Sequence, residues 1–177
     1  MATSPPLSQE AASRLGAIAN IGSVQVFRLM ARLDDQPLGQ GSLTWNLKDP
    51  EFFWNLDGRD LVALLVLEIS IAMQSTEQEP ERRLGVVHVG YRLEYSFKED
   101  ISSEEEIPHF VGISGFLQVW PYLRAEVQTL TAKLGLPALT LPVLLAGQAA
   151  SMVTVKHVRE AAPGEGAGAD DTVTGKS

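Results

Sequence analysis

Cysteine is absent from the 177 residues, which excludes a disulfide framework, a thiolate nucleophile and any zinc site built on sulfur. Histidine is scarce too. His88, His109 and His157 are scattered without ligand spacing, so no metal site and no cofactor is expected. Positive charge is in deficit, with 14 Lys and Arg against 22 Asp and Glu, a formal net charge of −8. Nucleic acid and anionic membrane both demand basic patches, so neither is an expected partner. A basic flank leading into an apolar core is missing at the start, since Met1 to Gln9 is polar and Pro-containing. The longest uncharged stretch lies between Lys133 and Lys156, but Pro137 and Pro142 interrupt it and Gly135 and Gly147 loosen it. Lipid tolerates no such breaks in the backbone ladder, so this stretch reads as a buried or interface segment and no stable membrane insertion is expected.

What remains is 45% hydrophobic, enough for a packed core in one domain. Ser8 to Asn20 reads as a short helix, with Ser8 as N-cap, Glu10 in the first turn and abundant Ala. Ile21 to Leu33 reads as a strand whose alternation changes phase. Val24 and Val26 flank Gln25, then Phe27 and Leu29 flank Arg28, which predicts a bulge or a change of face. Leu43, Trp45 and Leu47 alternate with Ser42, Thr44 and Asn46 as in a half-buried strand. Leu61 to Met73 is a third strand by its Val and Ile content. In Val87 to Phe97, Val87, Val89, Tyr91, Leu93, Tyr95 and Phe97 share one face, and His88, Gly90, Arg92, Glu94 and Ser96 share the wetter one. Gln74 to Arg83 is a polar connection.

Helical spacing then takes over. Trp120, Leu123, Val127, Leu130 and Leu134 fall on one helix face, with Pro121 expected in a first turn or at a kink, and Gly135 and Pro137 ending the helix. A second helix is expected from Pro142 through Val143 to about Val158. Strands first and helices last define an α+β class. The expected organisation is an N-terminal segment at 1–20, a domain at 21–158 and a disordered Gly- and Asp-bearing tail at 159–177.

Catalytic motifs are weak. Gly112-Ile113-Ser114-Gly115 lacks the second glycine of a nucleophile elbow, because position 116 is Phe116, and it reads as a glycine-bearing turn. A triad of Ser114, His109 and Asp100 has no further support. Gly39-Gln40-Gly41 lacks a third glycine and a following helix, and Gly164, Gly166 and Gly168 in the tail have no strand before them, so neither can cradle a phosphate. Glu104 to Glu106 and the pair Asp34 and Asp35 read as solvated loops. The surplus is apolar. Trp45, Phe52, Phe53 and Trp54 cluster near one strand, and the 134–155 stretch holds Leu136, Leu139, Leu141, Leu144, Leu145 and Met152. Such a surplus in Pro-punctuated segments marks an oligomer interface or a groove for extended polypeptide, not an enzyme.

Two runs carry a family resemblance. Val119-Trp120-Pro121-Tyr122-Leu123-Arg124-Ala125-Glu126 and Gly135-Leu136-Pro137-Ala138-Leu139-Thr140-Leu141-Pro142 resemble the C-terminal part of the SecB protein-export chaperones. In that family a Pro-Tyr-Ala-Arg-Glu run opens the long helix, and a Gly-x-x-Pro-x-Leu-x-Leu-x-Pro connection leads to the last one. Pro121, Tyr122, Arg124, Pro137, Leu139 and Leu141 match. Ala125 stands where the family has Glu, and Pro142 comes one residue early. The resemblance implies a SecB-like α+β fold, a four-stranded antiparallel sheet with two C-terminal helices packed on it, assembled as a homotetramer, a dimer of dimers. It implies a cytoplasmic, ATP-independent holdase for unfolded or preprotein clients, with the translocase motor SecA or an antitoxin as the specific partner. A non-enzymatic oligomeric module that binds one folded partner is the alternative. The client groove would use Leu43, Trp45, Leu47, Phe53, Trp54, Leu144 and Leu145, and the oligomer interface Trp120, Tyr122, Val127 and Leu130. Export-type members dock on SecA partly through acidic residues on the outer sheet face. The first strand here carries Arg28 and Arg32 instead, which weighs against that docking.

Overall fold

The computed structural model describes residues 7–35, 42–74 and 81–158. The 75–80 connection and the 159–177 tail, both anticipated from composition, lie outside the described residues. Helix α1 (Gln9–Ile18) leads into β1 (Ala19–Leu33), β2 (Ser42–Asp57), β3 (Asp60–Gln74) and β4 (Arg82–Phe97). A single 3-10 turn at Glu104–Glu106, helix α2 (Ile107–Phe110), a π turn at Val111–Gly115 and helix α3 (Phe116–Lys133) follow in one continuous helical run. Helix α4 (Ala146–Met152) and strand β5 (Thr154–His157) close the described chain.

The sheet order is β1-β4-β3-β2-β5. The first four strands pair antiparallel, and β5 joins β2 parallel. The expected four-stranded sheet is thus corrected to five. The expected helix reaching Val158 is corrected to seven residues followed by a strand. The physical reason lies in the β-branched run Val153, Thr154, Val155, which favours extended backbone once a sheet edge is there to receive it.

Other expectations match. Ser8 caps α1, its side chain accepting from the Ala11 N–H at 3.4 Å. The phase change in β1 is a pair of register shifts, between Ile21 and Ser23 and between Val26 and Arg28. On β4 the six alternating apolar residues from Val87 to Phe97 are all buried, and Arg92 and Ser96 on the other face are exposed. Their neighbours in register on β3, Leu61 to Ile69 at alternate positions, are buried with them. Gly135 ends α3 at φ 76°, a left-handed value that favours glycine.

The helices cover only one face of the sheet. Leu15 of α1, Phe110, Phe116, Trp120, Leu123 and Val127 join the strand residues in one core. Pro121 sits inside α3 on its exposed side, not in a first turn. The run at 112–115 is a π turn within the helix, not a loop. Gly112 is needed there because a Cβ would meet Leu7 Cδ1 at 2.5 Å and Val155 Cγ2 at 3.0 Å, so the helical run presses directly on β5.

Candidate functional site: an apolar ladder at the edge of β2

Strand β2 changes face once. The register slips between Lys48 and Glu51, so two residues that the sequence suggests share a surface are separated. Before the slip, Leu43, Trp45 and Leu47 stand opposite Met73, Ile71 and Ile69, on the helix-covered face. After it, Phe52 and Trp54 stand opposite Leu65 and Ala63 on that same face, and Phe53 points the other way. Phe53 is corrected to the outer face, where Lys156 Nζ lies 5.6 Å from its ring centroid. Trp54 is buried, its indole stacked on the His157 ring with centroids 4.2 Å apart, so β5 already covers it.

Leu43, Trp45 and Leu47 are only half-buried although they pack against the core. Leu144 is half-buried and Leu145 is 64% exposed at the start of α4, where its N–H donates to Gln148 Oε1 at 3.0 Å. These five residues keep part of their apolar surface in contact with solvent.

The Leu- and Pro-rich segment before α4 has no regular structure, yet it is held firmly. Trp120 Nε1 donates to the Pro142 carbonyl and Arg124 Nε to the Leu141 carbonyl, both at 2.8 Å. The Leu139 N–H donates to Thr131 Oγ1 at 3.0 Å, and Leu136, Leu139 and Leu141 are buried. Arg124 and Thr131 therefore position the segment, a role that spacing alone does not disclose. Of the residues expected at an oligomer interface, Trp120 and Val127 are buried in this chain's own core and present no surface. Leu130 is half-buried and Tyr122 is 54% exposed.

Sequence reasoning missed a second apolar surface on β1. Ile21, Val26 and Leu29 share the register of Tyr95, Tyr91 and Val89 on the helix side, yet are 50%, 43% and 42% exposed. Phe27 and Met30 are exposed as well. β1 ends the sheet, and no strand flanks its far edge among the described residues. The available signal was apolar residues in both phases of one strand, which a one-sided strand does not need.

Two of the three residues weighed as a triad, His109 and Asp100, are engaged elsewhere. The Ser8 N–H donates to His109 Nδ1 at 3.1 Å, and Arg59 Nε donates to Asp100 at 2.6 Å, holding that carboxyl below its ordinary range. Among the described residues no group of three His, Cys, Asp or Glu side chains is placed to hold a metal ion, and no helix is long and apolar enough to cross a membrane.

The chain is thus an open α+β sheet with helices on one face, a Leu-Pro strap pinned to a long helix and apolar side chains left partly exposed on β1 and the first half of β2. The SecB-like chaperone Rv1957 of Mycobacterium tuberculosis, solved in complex with a ChAD peptide from the Rv1956 HigA1 antitoxin, has the same fold. It superposes with a TM-score of 0.65 at 25% identity, over 77% of this chain and 98% of that one. The chain is SecB-like. A Streptococcus agalactiae protein of unknown function is more distant, with a TM-score of 0.41 at 12% identity over 70% of this chain and 96% of that one. No protein-family model matches the sequence, and no curated protein matches it.

Proposed function

We propose that the chain is an ATP-independent holdase that binds extended segments of non-native polypeptide, with a dedicated client such as an antitoxin. The observation that carries this reading is the match to Rv1957, a SecB-like chaperone solved with an antitoxin peptide. The half-buried ladder Leu43, Trp45 and Leu47, with Leu144 and Leu145, supplies a surface suited to the task. Burying apolar side chains stabilises a complex by about 25 cal/mol per Å2 without reading sequence. A general export role with docking on SecA is less favoured, because Arg28 and Arg32 stand on the outer sheet face opposite Gly90 and Val86. The exposed apolar residues of the β1 edge support self-association, and a dimer of dimers in the cytoplasm completes the reading.

The test is light scattering of a chemically unfolded client diluted into buffer with and without the protein, in the absence of ATP. Suppressed aggregation near stoichiometry supports a holdase. Failure across several clients, followed by capture of one folded protein, would favour an interaction module instead. In the same assay Leu144→Asp should weaken client binding by a few kcal/mol (about 2–4), since the groove loses apolar burial and gains an unpaired charge. Unchanged binding by a variant with native circular dichroism would remove Leu144 from the groove.

A further inference from the structure

Strand β2 has two edges, and they are used unequally. One pairs with β3 from Ser42 to Asp57. The other is covered by β5 only from Glu51 to Trp54. From Ser42 to Lys48 no strand flanks that second edge among the described residues. Alternate N–H and C=O groups of such a stretch point sideways, available to another backbone.

The chain shows what this edge accepts. β5 lies parallel to β2, and the Val158 N–H donates to the Trp54 carbonyl at 3.0 Å just beyond it. Its side chains alternate. Val155, in register with Phe52, is half-buried on the helix side, while Thr154 and Lys156, in register with Glu51 and Phe53, are exposed on the outer side. The free stretch offers the same two-sided environment. Leu43, Trp45 and Leu47 line the helix side, and Thr44, Asn46 and Lys48 the outer side.

We propose that Ser42–Lys48 of β2 pairs through its backbone with an extended client segment, which adds to the sheet as a strand in line with β5. This rests on the chaperone reading and names how the client is held. The client segment that fits alternates apolar residues, beside Leu43, Trp45 and Leu47, with small polar residues, beside Thr44, Asn46 and Lys48. Main-chain pairing supplies affinity without sequence specificity, and the alternation supplies register.

The probe is a short capped peptide of alternating valine and threonine, with an analogue N-methylated at every residue. Amide hydrogen exchange of the full chain is followed by NMR with and without the parent peptide, and both affinities are measured. Exchange should slow at alternate residues of Ser42–Lys48, and N-methylation should weaken binding at least about tenfold, since several backbone bonds are lost together. Equal affinity of the two peptides overturns the proposal. So does binding without protection on that stretch, or no binding of the parent. The scattering assay on the same preparation keeps the two readings apart. Suppressed aggregation without edge protection removes strand addition and leaves the holdase standing. Absent suppression removes the holdase whatever the exchange shows.

Discussion

Tyr91 lies fully buried in the middle of β4, and its hydroxyl has no hydrogen-bond partner among the described residues. Burial pushes its phenol far above the ordinary range, and the Glu126 carboxylate adds to the shift. Tyr95 is raised by burial as well, although its hydroxyl donates to Gln118. The sign follows directly. The unfolded phenols ionise near pH 10 and the folded ones later, so the stability they lend is complete below about pH 10 and is lost as pH rises towards the folded values. Tyr91→Phe removes an unpaired donor from the core. It should leave stability unchanged at neutral pH or raise it by up to about 1 kcal/mol, and make the alkaline loss shallower. Denaturant titrations at neutral and alkaline pH check both. Arg124→Met should keep the packed stem but lose the bond to the Leu141 carbonyl. About 1–2 kcal/mol of stability should go with it, and amide exchange in the 136–142 strap should quicken. Arg124 was legible as a family match. Its partner was not, because the two lie 17 residues apart and meet only when the strap folds back on α3.

Among the elements, strands with one dry face were the most legible. Alternation along Val87 to Phe97 is a local consequence of burying one side, and it survives intact in β4. The β1 bulge was legible for the same reason, since a change of phase in the residues is a change of register in the pairing. The slip in β2 was not. Phe52, Phe53 and Trp54 form an unbroken apolar run, so the residues carry no sign of which one turns outward, and pairing with β3 decides it. Nor was β5 legible, because four residues have no strand character until the edge of β2 accepts them. The π turn shows how tightly that end is packed. Gly112→Val would drive a side chain into Leu7 and Val155 and should destabilise the fold by about 1–3 kcal/mol. Loss of β5 should be its first visible sign, read as faster exchange of the Glu51–Trp54 amides.

At the scale of the molecule, the helices protect one face of the sheet incompletely. α3 and the strap cover its centre, while the two margins, β1 on one side and the first half of β2 on the other, keep apolar side chains in water. An exposed strand of fifteen residues with apolar groups on both faces is an aggregation hazard for a solitary chain. We therefore expect a native mass that is a multiple of 19.2 kDa, consistent with the proposed tetramer. Leu29→Lys should lower the native mass and leave circular dichroism unchanged. A wild-type mass of one chain at micromolar concentration would remove the oligomer from the proposed function.

Composition and periodicity by themselves determined that this chain has an antiparallel α+β core with no thiol chemistry, and two short motifs pointed to the SecB-like class. Those properties are local. They follow from which residue types are present and from whether apolar side chains recur every second or every third to fourth position. Tertiary structure alone decided that Trp54 lies under His157 while Phe53 faces away, that Trp120 and Val127 are core, and that the C-terminal segment ends as a strand. Each of these depends on contact between residues distant in the chain. Burial and backbone pairing are decided by the partner that arrives, and no window of sequence contains it.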